Sequence, residues 1–215
     1  VGVYEDRVLP RLVDLTCGAK GMERYRARAI EGLHGEVVEI GFGTGLNVPL
    51  YPAAVTKVWA VEPSLRSREL ARGRIEASTV PVEHVGLDGQ RLPLPDASCD
   101  AGLSTFTLCT IPDPTLALAE LRRVLKPGAR LHVLEHGAAP DDGVARWQER
   151  IEPWQRRFAG GCHLTRDVSD LLSDAGFDDV EITARYVKGP KPWSYFSYGT
   201  ATNPPTLHAP EEGNA

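Results

Sequence analysis

No apolar run among the 215 residues approaches the roughly 18–20 needed to cross a bilayer. The first stretch, VGVYEDRVLPRLVDL, is charged early and has no signal-peptide core. A basic excess is also missing: 24 Lys and Arg against 29 Asp and Glu give a net charge of −5, which argues against a nucleic-acid surface. Cysteine is scarce, and Cys17, Cys99, Cys109 and Cys162 form no C-x-x-C pair. That spacing indicates neither a zinc site nor a disulfide framework, so no metal is expected. Internal repeats and domain linkers are lacking too. The expectation is a soluble, cytoplasmic protein with one domain and one sizeable core, without a nucleic-acid partner or a stable membrane anchor. Nothing in the sequence bears on its oligomeric state.

Helical signals cover residues 4–29 and end near Gly32 and Gly35. Short apolar, β-branched runs at 36–40, 57–61, 81–85, 99–104 and 130–134 read as strands. Helices are predicted to start around Asn47 and after an N-cap at Ser64. Further helices are predicted over 114–125 up to Lys126-Pro127-Gly128, over 143–158, and over 167–175 with Thr165 as cap and Gly176 as terminator. Two late strands, 180–186 and 193–198, have no helix between them and suit a hairpin that makes one edge antiparallel. Strands alternating with helices predict an α/β fold, a doubly wound, mostly parallel, Rossmann-like sheet. Ligands of such sheets lie beyond the carboxyl ends of the strands.

The first of those ends is the stretch EVVEIGFGTGLNVPLYP, with Glu39 in the strand and Gly41, Gly43 and Gly45 behind it. Glycines permit positive φ and close approach of backbone to ligand. A helix starting at Asn47 would aim N–H groups at the same place. Gly43 is expected against the ligand, whereas Gly35 is read as merely preceding the strand. The glycines run G-x-G-x-G, and Leu46 stands where a dinucleotide fingerprint has its third glycine. At the next strand end, Glu62 in VWAVEPS suits both hydroxyls of a ribose. At the third, Asp88-Gly89 in HVGLDGQRLPL suits an exocyclic amine such as that of adenine. An ordinary turn acid is the alternative reading of Asp88.

With these residues in place the chain resembles the class I S-adenosylmethionine-dependent methyltransferases. EIGFGTG is similar to that family's first motif, Glu62 to its ribose acid, and DGQRLPLPDASCDAGLS to its adenine-side segment and fourth strand. LRRVLKPGARLHVLEH and LLSDAGF agree with it. The resemblance implies a seven-stranded sheet with an antiparallel last strand. It also implies that Glu39 lies beneath the methionine end of S-adenosylmethionine. The alternative for Glu39 is a strand acid satisfied by the loop's own N–H groups. The domain expected is 1–201, with 1–35 a helical cap, 137–166 a lid inserted over the substrate, and 202–215 a flexible tail. The implied cofactor contacts are Glu39, Gly41, Gly43, Gly45, Asn47, Glu62, Pro63, Asp88, Gly89 and Thr105. Tyr4, on a helix that precedes the first strand, is added as a cover.

TLCTIPDP and EHGAAPDDGVARWQERIEPWQRRFAGGCHLTRD narrow the resemblance to microsomal alkyl-thiol methyltransferases and their soluble bacterial relatives. The matching residues include Leu108-Cys109, Glu135-His136, Trp147-Gln148 and Gly161-Cys162. The acceptor expected is therefore a small molecule, methylated at a thiol sulfur. N-methylation of a phospholipid head group, or C- or O-methylation of a quinone-like or phenolic metabolite, is the alternative within the family. An NAD-dependent oxidoreductase and a non-catalytic cofactor-binding module are the alternatives outside it. His163, His136 and Arg166 are the candidates for proton handling or thiolate stabilisation. Cys109 and Cys162 read as packed thiols, and His34 and His84 as surface or turn residues. Trp147 and Trp154, seven apart, share a helix face, one expected in the core and either able to wall an apolar pocket.

Overall fold

The computed structural model describes residues 8–18 and 20–205. Seven strands form one sheet: β1 (Gly35–Ile40), β2 (Val55–Val61), β3 (Val82–Gly86), β4 (Cys99–Thr105), β5 (Leu125–His136), β6 (Asp178–Tyr186) and β7 (Tyr195–Thr202). Their order is β3-β2-β1-β4-β5-β7-β6. Pairing is parallel from β3 through β5, while β7 runs antiparallel to both β5 and β6. The late strands do form a hairpin. The antiparallel member is not at the edge, however, because β7 lies between β5 and β6.

Side-chain alternation along the strands divides the apolar residues between two faces. Val37, Val58, Ala60, Ala101 and Leu103 meet Ile30, Leu33, Val48 and Ala71 on one side. Val38, Ile40, Val61, Leu131 and Val133 meet Leu118, Leu121, Val168 and Leu172 on the other. Ala71 belongs to α3 (Leu65–Glu76), capped by the Ser64 side chain as the sequence suggests. Leu118 and Leu121 belong to α4 (Pro114–Val124), where Asp113 accepts from the Thr115 and Leu116 N–H groups. Each fully buried leucine contributes about 1.5–3 kcal/mol.

Several local expectations differ from the structure. Only a three-residue 3-10 turn, Val48–Leu50, follows the glycine loop, so no helix begins at Asn47. Val48-Pro49-Leu50 is too short and too proline-bound to extend. The cap of α6 (Val168–Asp174) is Asp167 rather than Thr165, which instead bonds Glu152. Two helices, α1 (Leu9–Cys17) and α2 (Lys20–Ala29), precede the sheet, and α5 (Asp142–Phe158) fills the insertion after β5. Thr202 is still in β7, and Asn203 is buried with its Nδ2 donating to the Arg122, Leu125 and Lys126 carbonyls. Residues 202 and 203 thus belong to the fold and not to the expected tail, and residues 206–215 lie outside the described ones. Among the described residues no helix is long and apolar enough to cross a membrane.

Candidate functional site

The sheet order reverses between β1 and β4, and in such sheets ligands bind beyond the strand ends at that point. Glu39 on β1 is fully buried at this point. Its Oε1 accepts from Asn47 Nδ2 at 2.8 Å, and its Oε2 accepts from the Tyr51 hydroxyl. Side chains, not loop N–H groups, therefore satisfy it. Burial raises the carboxyl to about 7, against the pull of Tyr51, Asn47 and Arg26. From α2, Arg26 reaches in and donates to Asn47 Oδ1 at 2.9 Å and to Thr105 Oγ1 at 3.0 Å. Asn47 also donates to Thr105 Oγ1, at 3.0 Å. Four elements thus converge on one buried polar network.

The three loop glycines all have positive φ, +64° at Gly41, +58° at Gly43 and +76° at Gly45. They differ in what stands in front of them. A Cβ on Gly41 would meet Thr107 Oγ1 at 1.9 Å, whereas one on Gly43 has nothing nearer than Gly41 O at 3.8 Å. Gly41 serves packing, and Gly43 faces open space. Glu62 holds the loop: its Oε2 accepts from Gly43 N at 2.7 Å and its Oε1 from Ser64 N at 2.8 Å. Burial raises its carboxyl, opposed by those N–H groups. From α1, Asp14 accepts from the Thr44 hydroxyl and from Arg74, so the N-terminal helices are fastened over the loop. Pro63 and Asp88 are exposed. Asp88 Oδ1 accepts from Gln90 N at 2.8 Å, and the neighbouring Gly89 is buried against Ile111 and Ile40. Tyr4 lies outside the described residues.

Gly35 is not a mere preface to the strand. Its φ is +65°, and an added Cβ would meet Asp100 Oδ2 at 2.3 Å.

Beyond β4 and β5 the surroundings change character. Glu135, also buried, accepts from Ser104 Oγ and from the N–H groups of Thr107 and Leu108 through Oε1, and from Cys109 N through Oε2. The His136 ring lies 5.2 Å from that of Phe106 and 4.9 Å from that of Phe196. Phe106 in turn lies under the Arg26 guanidinium, at 5.3 Å. His136 is therefore one ring removed from the Glu39 network. Its Nδ1 is 3.7 Å from Cys162 Sγ and 4.0 Å from Cys109 Sγ, and the two sulfurs are 3.8 Å apart. Their hydrogen bond pulls the Cys162 thiol down and pushes the Cys109 thiol up, and His136 lowers Cys162 further.

His163 and Arg166 are occupied otherwise. His163 Nδ1 bonds Glu152 Oε1 at 2.9 Å, and the ring lines an open groove of ≈ 570 Å³ with Thr110, Pro153 and Arg156. Arg166 Nη1 donates to the Leu108 and Ile111 carbonyls at 2.7 and 2.8 Å, which makes it a clamp between the insertion and the β4 loop rather than a free cation. Trp147 and Trp154 are 57% and 67% exposed on α5, so neither is in the core. His84 lies on β3, its ring edge-on to Phe42 at 5.4 Å, and is not a turn residue. His132 bonds the Ala29 carbonyl through Nδ1, away from the cysteines.

Residues 38–133 match the family model described as a methyltransferase domain. A thiol S-methyltransferase of Rattus norvegicus is 33% identical over 159 residues, which is 71% of this chain and 65% of that protein. The chain spans about 65% of the length of the curated thiol methyltransferases it matches. A phosphatidylethanolamine N-methyltransferase of Cereibacter sphaeroides is 26% identical, covering 74% of this chain and 78% of that one. A solved S-adenosylmethionine-dependent methyltransferase of Thermotoga maritima superposes with a TM-score of 0.66 at 25% identity, over 92% and 97% of the two chains. The chain belongs to the class I S-adenosylmethionine-dependent methyltransferases. S-adenosylmethionine is accordingly its cofactor, and the oxidoreductase alternative falls away.

The sequence pointed to Glu39, Asn47 and Thr105, which the fold joins in one network. It gave no role to Arg26 or Tyr51, and it named Glu135 only as part of the narrower resemblance. Arg24, Arg26 and Arg28 are alike in sequence, and only the docking of α2 singles out the one that is buried. Tyr51 lay inside the glycine stretch itself, 12 residues after Glu39.

Proposed function

We propose that the protein transfers a methyl group from S-adenosylmethionine to the sulfur of a small, fairly apolar thiol. The observation that carries this reading is the 33% identity to a thiol S-methyltransferase, across 71% of the chain. The cofactor supplies a methyl group already activated on a sulfonium. The residues fit it, because the open space before Gly43 admits a ligand and carboxylates stand at successive strand ends. On this reading Glu62 accepts from the ribose hydroxyls with the lone pairs that Gly43 and Ser64 leave. The exposed Asp88 accepts from the adenine amine. Glu39, with its pKa near 7, faces the amino group, and the Arg26 guanidinium supplies the charge for a carboxylate.

The acceptor side is apolar, with Phe106, Phe196 and His136 packed as three mutually touching rings. Once the cofactor is held, the chemistry asks mainly for near-attack positioning and an ionised sulfur. A free thiol is only a few per cent thiolate at pH 7. Among the residues first considered, His136 is the one that lies beside these rings, and on this reading its Nε2–H stabilises the thiolate. His163 is tied to Glu152, and Arg166 holds backbone carbonyls. A second reading, N-methylation of a lipid head group, draws on the exposed Trp147 and Trp154 of α5 and on the Cereibacter relative. Mass spectrometry of products from a panel of thiols, amines, phenols and phospholipids separates them. A methyl thioether is expected. Methylation of amines or phospholipids with no thiol accepted rejects the thiol reading.

A further inference from the structure

Cys109, His136 and Cys162 come from three separate places: the loop after β4, the end of β5 and the loop after α5. We infer that they form a binding site for one soft divalent cation of the zinc class. Zinc–sulfur bonds of about 2.3 Å and zinc–nitrogen bonds of about 2.0–2.1 Å in a tetrahedron place two sulfurs about 3.8 Å apart and a sulfur and a nitrogen about 3.6 Å apart. The sulfurs are 3.8 Å apart, and the imidazole Nδ1 is 3.7 and 4.0 Å from them. A disulfide needs its sulfurs at about 2.05 Å, a far larger displacement.

The ligands are held before any ion arrives. Cys109 N donates to Glu135 at 3.2 Å, and Cys109 O accepts from His163 N at 2.7 Å. Cys162 N donates to the Ala159 carbonyl, and the two phenylalanine rings fix the imidazole. Leu164, Ile151 and Ala159 surround the sulfurs. Two thiolates and a neutral imidazole cancel a divalent charge, so such a complex can be buried where a lone charge is costly. A two-sulfur, one-nitrogen donor set favours zinc over magnesium or calcium. Three protein ligands leave one tetrahedral position for an exogenous ligand, as in catalytic rather than closed structural sites.

The test is calorimetric titration of the reduced, chelator-treated full chain with Zn²⁺ alone, with Co²⁺ as the spectroscopic reporter. One equivalent of zinc is expected, and the cobalt form should show thiolate-to-metal charge transfer with tetrahedral d–d bands. Cys109→Ser and Cys162→Ser should each weaken binding at least about tenfold, since losing even an outer-shell partner costs 10–100-fold. Cys99→Ser should bind as the parent does. Failure to take up one equivalent, or equal uptake by the Cys109→Ser, Cys162→Ser double variant, overturns the inference. So does oxidation to a Cys109–Cys162 disulfide in protein that takes up no zinc. Should the variants unfold, the parent's cobalt spectrum decides: charge transfer from thiolates supports the site, and its absence overturns it. No acceptor or cofactor enters the measurement, so its outcome is independent of the thiol reading.

Discussion

The two groups of residues beyond the strand ends are assembled differently. At the cofactor end, Glu39, Glu62 and the Asp88 turn each sit at or just past the end of their own strand, and the glycine loop links the first two. Beyond β4 and β5, Cys109, His136 and Cys162 are 27, 26 and 53 residues apart and meet only because the insertion folds back. The first arrangement needs one local motif per strand. The second needs α5, the Arg166 clamp and the Glu135 hydrogen bonds all in place at once. Local motifs can be read from neighbouring residues, whereas convergence across the fold cannot.

The largest effect should separate two glycines that look alike. Gly35→Ala must displace Asp100, which accepts from Glu36 N and Lys126, and it also forces a Cβ into the left-handed region. A loss of roughly 2–4 kcal/mol in denaturant unfolding is expected. Gly43→Ala carries only the backbone cost, about 1–2 kcal/mol, and its main effect should be weaker cofactor affinity. Equal stability losses with equal affinities would erase the distinction between a packing glycine and a ligand-facing one.

Next is the clamp. Arg166→Ala removes three charged hydrogen bonds to carbonyls, one of them long, and should lower stability by roughly 2–4 kcal/mol. The pH profile of turnover should keep its shape. A changed profile with unchanged stability would restore Arg166 as a participant in the chemistry.

Glu39 gives a pH signature to the cofactor end. Its folded pKa of about 7 stands above the ordinary 4.5, so the folded state holds the proton longer than the unfolded one. The resulting stability is fully present below about pH 4.5 and is lost as pH rises through 7, by on the order of 3 kcal/mol at most. Unfolding experiments from pH 4.5 to 8 on the unliganded protein should show this loss, and Glu39→Gln should lack it. An identical pH dependence in both proteins would mean that Glu39 is ionised at low pH in the folded state.

The smallest effect is expected on the outside of α5. Trp147→Ala and Trp154→Ala should each change stability by no more than about 0.5 kcal/mol, as exposed positions do. Larger losses would put that helix face against something in solution.

Sequence reasoning succeeded where function is local. The G-x-G-x-G loop, Glu62 and the strand–helix alternation carried the fold class and the cofactor. It failed where exposure decides. His163 and Arg166 read from GGCHLTRD as candidates for proton handling and positive charge, yet one bonds Glu152 and the other bonds carbonyls. Trp147 and Trp154 do share a helix face, and spacing alone cannot say that the face is turned outward. The cysteine spacing indicated no zinc motif because such motifs are recognised by short spacings, and the set proposed above is spread over 54 residues.

Glu62 ties the glycine loop to the second strand and is proposed to hold the ribose. Isothermal titration of S-adenosylmethionine into the parent and Glu62→Ala proteins measures this. With hydrogen bonds to a charged acceptor worth about 1.5–3 kcal/mol each, the variant should bind at least about tenfold more weakly while remaining folded by circular dichroism. Unchanged affinity in a folded variant would contradict the placement of the cofactor across these strand ends.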